Sequence, residues 1–289
     1  MRRAALALAV GAALVLPVWA KDDHATPTGY FPHAIAIADV DGDGVPDVLV
    51  PASAERKVAV LRGDGQGGFA ANDSYAVGQG PTWIATGDFN GDAHVDWVTT
   101  NTGGHALSIY LGDGGGGFTA GRGVTGLDGP VSVAAGDFNR DGRLDLAVAQ
   151  ARESKVAVLL NRGGGTLEVV RAYPVDRGPH IVAAQDLNGD GLPDLVVGTL
   201  GSHRLTVLLA RGDGSMTVGQ RIDVGRFPHY MAFPDWNSDG RKDIAVVVAG
   251  EDSIALLAGD GKGRFARRER LAAGVNPHGL AMADFNGDT

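Results

Sequence analysis

The stretch Asp88-Phe-Asn-Gly-Asp-Ala-His-Val-Asp96 recurs along this chain with small changes, and each copy begins 49 residues after the one before it. The other copies begin at Asp39, Asp137, Asp186, Asp235 and Asp284, and the last one stops at Thr289. Five equal intervals indicate an internal repeat rather than a chance motif.

Each repeat also contains short apolar segments around this motif. A Pro precedes an alternating segment such as 34–38, a run such as 48–50 follows the motif, and a third run such as 57–61 leads into a glycine-rich turn. No helical pattern of about ten residues separates these segments, which excludes a parallel α/β arrangement. About four short strands per repeat are typical of a propeller blade. We therefore predict an all-β β-propeller with five complete four-stranded blades and a truncated sixth.

The chain is predicted to contain a leader and one repeat domain. Residues 1–20 have the pattern of a signal peptide, with a basic start, an apolar stretch and small residues at the cleavage site. Residues 21–289 form the propeller, and its repeats span about 30–78, 79–127, 128–176, 177–225 and 226–274, with a partial repeat at 275–289. A truncated larger ring and a closed five-bladed ring both remain open. We predict a secreted or periplasmic protein with no membrane insertion after cleavage.

The repeated motif has the composition of a calcium loop. Positions 1, 3, 5 and 9 supply carboxylate or carboxamide oxygens, and position 7 can add its backbone carbonyl. Oxygen ligands favour Ca²⁺ over a transition metal, since the chain contains no Cys, and an all-protein cage favours Ca²⁺ over Mg²⁺. An apolar position 12 and flanking strands exclude an EF-hand. We predict about five Ca²⁺ sites, with the ligands Asp39, Asp41, Asp43, Val45 and Asp47; Asp88, Asn90, Asp92, His94 and Asp96; Asp137, Asn139, Asp141, Arg143 and Asp145; Asp186, Asn188, Asp190, Leu192 and Asp194; and Asp235, Asn237, Asp239, Arg241 and Asp243.

The five loops differ in two respects. Loop one carries four carboxylates, because Asp41 stands where the other loops have Asn. Loop two carries Ala93 where the others have Gly, at a position expected to need a positive φ. We therefore expect loop two to bind Ca²⁺ most weakly.

These loops, together with the Gly-Asp-Gly turn and the Phe that follows it (Phe69, Phe118 and Phe265), resemble the FG-GAP/VCBS repeats, which also form the head of integrin α subunits. The resemblance covers nearly the whole chain after the leader. It implies an extracellular, calcium-stabilised propeller, usually of about seven blades, that serves adhesion or ligand binding. The chain departs from the family pattern at Ala93, in the missing Phe of repeats three and four, and in the incomplete sixth repeat.

Histidine follows the repeated Pro in four of the six repeats, at His33, His180, His229 and His278. If all inner strands begin at one end of the channel, these side chains form a partial ring there, because repeats two and three lack the His. Such a ring could bind a metal, an anion or a sugar. The alternative is a repeat residue that simply caps the strand.

The sequence shows no catalytic arrangement, and we expect no enzyme. It lacks a serine elbow motif, and a repeated architecture argues against one asymmetric cluster. The predicted function is a ligand-binding or adhesion module for an unknown protein or carbohydrate, without nucleic acid. Two alternatives stay open: a polysaccharide lyase or hydrolase using His105, Glu153 or His203, and a structural module of a larger surface protein.

Overall fold

The computed structural model describes residues 32–282, so the predicted leader and the sixth aspartate loop lie outside the described residues. Within this range the chain folds into 21 β-strands and one short 3-10 turn, Ala249–Glu251. No helix in this range is long and apolar enough to cross a membrane. The all-β prediction is confirmed.

The strands form five antiparallel sheets, one for each complete repeat. Sheet one contains β1 (Ala36–Ala38), β2 (Asp47–Ala52), β3 (Lys57–Gly63) and β4 (Phe69–Ala76). Sheet two contains β5 (Pro81–Gly87), β6 (Asp96–Asn101), β7 (Ala106–Gly112), β8 (Phe118–Ala120) and β9 (Val124–Thr125). Sheet three contains β10 (Pro130–Gly136), β11 (Asp145–Gln150), β12 (Lys155–Asn161) and β13 (Leu167–Pro174). Sheet four contains β14 (Pro179–Gln185), β15 (Asp194–Thr199), β16 (Arg204–Ala210) and β17 (Met216–Asp223), and sheet five contains β18 (Pro228–Ala232), β19 (Ile244–Val248), β20 (Ser253–Gly259) and β21 (Phe265–Ala272).

Neighbouring strands in each sheet follow one another in the chain, as in a propeller blade. In blade two the outer strand is split, and both β8 and β9 pair with β7. The outer strands of blades three, four and five carry a register shift near the same point instead. The prediction of four strands per repeat is confirmed, with this division of one outer strand.

The hydrophobic core lies between successive blades. Phe138, at position 2 of loop three, is fully buried and belongs to one cluster with Val182 and Leu195 of blade four. Phe89, at position 2 of loop two, packs in the same way with Val133 and Leu146 of blade three. Strands such as β11 and β15 are buried along their whole length, because a neighbouring blade covers each face. The aromatic residues at position 2 therefore hold adjacent blades together.

The inner strand predicted for the sixth repeat does not appear among residues 275–282. These residues have no regular structure, although Leu280 is buried against Ala245 and Ile254 of blade five. An inner strand is held by hydrogen bonds to the second strand of its own repeat, and no described residue supplies them here. The apolar contact of Leu280 and a hydrogen bond from Asn276 N to Asp252 Oδ1, at 2.8 Å, position the segment without making it a strand.

Chain direction gives the propeller two different faces. The aspartate loops join first to second strands, and the glycine-rich turns join third to fourth strands, so both lie at the end that we call the aspartate face. The opposite end, the histidine face, carries the starts of the inner strands, the hairpins between second and third strands, and the crossovers between blades. A hydrogen bond from Gly165 N to Phe89 O, at 3.1 Å, joins neighbouring blades on the aspartate face.

Candidate calcium loops and the histidine face

Loop one brings three carboxylates to one point. One oxygen from each of Asp39, Asp41 and Asp43 lies within 4.8 Å of the others. The backbone folds around Asp39, whose two oxygens accept hydrogen bonds from Gly42 N at 2.8 Å and Gly44 N at 2.9 Å. Both glycines have positive φ angles, 75° and 84°. The loop thus turns back on itself and presents oxygen ligands at a spacing that suits a divalent cation.

The first Asp of the other four loops organises the backbone in the same way. Its Oδ2 accepts a hydrogen bond from the backbone N–H of position 6 at 2.8 to 2.9 Å. The residues in this role are Asp88, Asp137, Asp186 and Asp235. All five loops therefore share one backbone fold.

The third position decides how strongly the carboxylates repel one another. In loops two, three and four the Asn side chain donates a hydrogen bond to the Asp at position 5, over 2.8 to 3.0 Å. The donors are Asn90 to Asp92, Asn139 to Asp141 and Asn188 to Asp190. In loop one an ionised Asp41 has no hydrogen to donate. Loop one is therefore the loop whose charges most need a cation.

The carboxylates at position 9 are buried beneath the loops. Asp145 accepts hydrogen bonds from Phe138 N at 3.0 Å and from Asn161 N, at the end of β12, at 2.8 Å. The same bond to the end of the third strand, at 2.8 Å, occurs in all five blades, with acceptors Asp47, Asp96, Asp145, Asp194 and Asp243. Position 9 thus ties the loop to the blade, and in Asp145 each oxygen keeps a lone pair for a metal.

Burial affects the ionisation of these position 9 residues. It raises the pKa of Asp145 to about 6, an effect that the two backbone hydrogen bonds oppose and the nearby Asp141 and Asp137 reinforce. Burial likewise raises the pKa of Asp194 to about 6. A carboxylate under such repulsion is one that a bound divalent cation would stabilise.

Loop five contains an unpartnered oxygen that fits a cation. Asp243 is fully buried, its Oδ1 accepts a hydrogen bond from Gly259 N, and its Oδ2 has no hydrogen-bond partner among the described residues. Burial raises the pKa of Asp243, the nearby backbone amides of Gly259 and Trp236 oppose this shift, and Asp239 and Asp235 reinforce it. A buried acceptor without a partner is costly. Among the described residues, only loop one brings three carboxylate oxygens within 4.8 Å of one another, so loop five would have to tighten around an ion.

Position 7 carries a feature that the sequence prediction missed. The backbone N–H of every position 7 residue donates to the Asp at position 5, as His94 does to Asp92 at 2.9 Å. The prediction treated the side chain there as irrelevant, but the guanidinium of Arg143 pairs with Asp141 and also donates to Asn161 O at 3.0 Å. Loop three thus contains an internal cation beside its predicted metal ligands. The sequence feature that could have indicated this pair is a basic residue, Arg143, two positions after the predicted ligand Asp141.

The remaining position 7 side chains differ in their surroundings. Arg241 Nη1 lies 3.9 Å from the Asp239 carboxylate in loop five, a looser contact than in loop three. Leu192 of loop four is buried in the core, and Val45 of loop one is half-buried. The predicted role of position 7 is to offer its backbone carbonyl oxygen to Ca²⁺. The side chains of these three residues do not alter that prediction.

The expected positive φ at position 6 is present in loop two. Ala93 has a φ of 68°, where Gly142, Gly191 and Gly240 have 80° to 81°. The sequence did not lead us to expect positive φ at position 4, where Arg140 has 62° and Ser238 has 58°. Arg140 uses its exposed place there to donate to Asp190 O of the next loop at 2.7 Å.

At the opposite face the structure brings three of the four histidines together. The ring centroids of His180 and His229 are 5.0 Å apart, and those of His229 and His278 are 4.2 Å apart. All three side chains are half-buried, whereas His33 is exposed. Beside them, Trp83 of blade two stacks on Tyr230 of blade five with centroids 6.0 Å apart.

The three residues considered for catalysis are engaged separately. His105 Nδ1 lies 3.0 Å from Asp128, and its Nε2 lies 3.2 Å from Arg152 Nη1. Glu153 pairs with Lys155 at 3.4 Å, and the ring of His203 meets that of Phe227 at 5.3 Å. Each side chain has its own local partner, so the described residues do not unite these three in one cluster.

Comparison with known families identifies the repeat. The profile of the FG-GAP-like repeat matches residues 88–148, 140–197, 186–246 and 235–289, and the profile of the FG-GAP repeat matches residues 31–70. The chain belongs to the FG-GAP repeat family. This confirms the resemblance noted in the loops, and no curated protein matches the chain in sequence.

Several solved structures have a fold similar to that of this chain. A putative 6-phosphogluconolactonase from Bacteroides fragilis has a TM-score of 0.67 at 13% identity, over 82% of this chain and 70% of that chain. The periplasmic gluconolactonase of Pseudomonas aeruginosa has a TM-score of 0.62 at 18% identity, over 84% and 71%. An Agrocybe aegerita lectin described as recognising non-reducing terminal N-acetylglucosamine has a TM-score of 0.58 at 22% identity, over 83% and 66%.

These structures correct the expectation that the chain is no enzyme. That expectation relied on the idea that a repeated architecture argues against a single catalytic site. Propellers similar over more than four-fifths of this FG-GAP chain nevertheless carry the names of lactonases. At such identities the likeness concerns the fold alone, and this fold accommodates enzymes.

Proposed function

We propose that this FG-GAP protein is an exported propeller that binds a carbohydrate at its histidine face and Ca²⁺ in its five aspartate loops. The observation that carries the calcium part is the meeting of Asp39, Asp41 and Asp43 within 4.8 Å with no cationic side chain paired to them among the described residues. Ca²⁺ would relieve this repulsion and hold the loop to its blade.

The carbohydrate part is supported by the chemistry of the histidine face. The stacked pair Trp83 and Tyr230 is half-buried and lies next in sequence to Thr82 and His229, which begin the same inner strands. Aromatic faces and neutral hydrogen-bonding groups suit the apolar faces and hydroxyls of a sugar. The lectin with a similar fold is consistent with this choice of ligand class.

Binding can be tested with the fluorescence of the calcium-loaded protein. Titration with a panel of mono- and oligosaccharides should change the emission of Trp83, and Trp83→Phe should remove that change. Trp236→Phe, on the aspartate face, is the matched control and should keep it. A panel that gives no change, or a change that survives Trp83→Phe, would count against carbohydrate binding at this face.

A second candidate function is hydrolysis at the same face. The observation that favours it is the row of histidines, which occurs on only some of the blades and so breaks the symmetry of the repeats. An assay of sugar lactone hydrolysis tests it, with His229→Gln compared against the parent protein. Turnover lost in His229→Gln would support a hydrolase, and no turnover by the folded parent would remove this candidate.

The proposed export depends on the sequence of residues 1–20. Expression of the full chain, followed by cell fractionation and sequencing of the N-terminus, tests it. We expect a chain that begins at Lys21 outside the cytoplasm. Full-length protein retained in the cytoplasm would contradict the proposed location.

A further inference from the structure

The histidine face contains three imidazoles in contact, supplied by three successive repeats. His180 is the second residue of β14, His229 is the second residue of β18, and His278 occupies the same repeat position in the segment that packs on blade five. Each follows a Pro, so one repeat position places all three at the same end of the molecule. The middle ring, His229, lies 5.0 Å from His180 and 4.2 Å from His278 between centroids.

These rings have no polar partner among residues 32–282. No hydrogen bond or ion pair in that range involves their nitrogens, although all three side chains are half-buried. Their nitrogens therefore have no protein partner to lose when a ligand binds.

The titratable groups that act on His180 and His229 are other histidines, and no carboxylate is among them. A neutral imidazole offers the lone pair of one ring nitrogen to a metal ion.

We propose that His180, His229 and His278 hold one divalent transition-metal ion of the zinc class at the histidine face. Imidazole nitrogen is a ligand for Zn²⁺, Cu²⁺ and Ni²⁺, while the oxygen-only aspartate loops at the other end suit Ca²⁺. The two kinds of site thus differ in both place and chemistry. Positions on the ion that protein does not fill would accept an oxygen of the ligand proposed above.

The three rings do not present their nitrogens to one point without a rotation. No nitrogen from each of the three rings lies within 4.8 Å of the other two, since the described residues yield only the loop one triad at that spacing. His229 and His278, the closer pair, form the first contact with the ion. One ring must then turn toward it, which the lack of hydrogen bonds permits.

Calorimetric titration with Zn²⁺ tests the proposal, using folded full chain in excess Ca²⁺ so that the aspartate loops are saturated. We expect one Zn²⁺ per chain. His229→Gln should weaken its binding at least about tenfold, within the range for disrupted metal ligation. His203→Gln is the matched control, because His203 lies on the same face outside the row, and its affinity should equal that of the parent.

Co²⁺ supplies a second readout, since histidine ligation changes its visible absorption. The parent and His203→Gln should show the bound spectrum, and His229→Gln should not. If His229→Gln fails to fold, His278→Gln replaces it. Absence of stoichiometric Zn²⁺ binding, or equal binding in the parent and a folded histidine variant, would overturn the proposal. Because this test runs in saturating Ca²⁺ without sugar, its failure would leave the calcium and carbohydrate proposals standing.

Discussion

Ala93 shows how one methyl group can distinguish loop two from its neighbours. Its φ of 68° lies in the left-handed region, which costs a residue with a Cβ about 1 kcal/mol. The equivalent glycines, such as Gly142, adopt this conformation without that cost. This conformational cost falls on the backbone that positions Asp88 and Asp92.

We predict that Ala93→Gly raises the free energy of unfolding by about 1 kcal/mol and tightens Ca²⁺ binding in loop two. Gly142→Ala is the reciprocal variant and should lose about the same amount. A Cβ at Gly142 meets nothing within 4 Å, so only the backbone conformation is changed. Chemical denaturation with and without Ca²⁺ measures both. Equal stability of Ala93→Gly and the parent would contradict the strain assigned to loop two.

Arg143 leads to a second prediction at the scale of the residue. Its guanidinium already neutralises Asp141, so Ca²⁺ must displace it. Arg143→Leu, which copies Leu192 of loop four, should raise the Ca²⁺ affinity of loop three about two- to fivefold, as expected for an exposed ion pair. The amide signal of Gly142 during an NMR titration reports this loop alone. Arg143→Lys keeps the positive charge, so the Ca²⁺ affinity of loop three should change little. A lower Ca²⁺ affinity in Arg143→Leu would refute competition between Arg143 and Ca²⁺ for Asp141.

The ligand types could be read from the sequence, but their hydrogen bonds could not. The repeated Gly at position 6 predicted the positive φ that Ala93 also adopts. Arg143 was missed, because its effect depends on where a flexible side chain points. The two roles of Asp145, as candidate ligand and as acceptor for Asn161 N, required the fold, since 16 residues separate them.

At the scale of the element, Asp145 joins loop three to the end of β12. Its two oxygens satisfy the buried amides of Phe138 and Asn161. Removing both acceptors leaves two buried donors without partners, a loss expected to exceed about 2 kcal/mol. The position 9 Asp therefore stabilises the blade even before any metal binds.

We predict that Asp145→Ala lowers the free energy of unfolding by more than about 2 kcal/mol in the presence of a chelator. Asp141→Ala is the matched control, because Asp141 lies on the loop surface, and it should lose within about 0.5 kcal/mol under the same conditions. Addition of Ca²⁺ should raise the free energy of unfolding of both variants by less than it raises that of the parent. Equal losses in chelator would show that position 9 has no separate structural role.

The strands themselves were predictable because alternation and apolar runs recur at a fixed period. The split of the outer strand into β8 and β9 was not, since it depends on local pairing with β7. The absent strand of the sixth repeat has a similar cause. Its sequence pattern suits a strand, but a strand also needs a partner, and residues 275–282 find none among the described residues.

At the scale of the whole molecule, the blades depend on one another because the core lies between them. Phe138 belongs to loop three and packs against blade four, and the same pattern repeats between other neighbours. The period of 49 residues was sufficient to predict this architecture. The grouping of His180, His229 and His278 was also predicted, because they occupy the same repeat position. The distances between their rings and the exposure of His33 required the structure.

Thermal unfolding of the chain in excess Ca²⁺ and in excess chelator, with calorimetric counting of bound ions, measures whether Ca²⁺ in the aspartate loops stabilises the propeller. Each loop saturated at a hundred times its dissociation constant contributes about 2.7 kcal/mol. We therefore expect about five ions and a melting temperature at least about 10 °C higher with Ca²⁺. A folded protein that binds no Ca²⁺ and melts at the same temperature in both solutions would contradict the account and reduce the aspartate loops to turns.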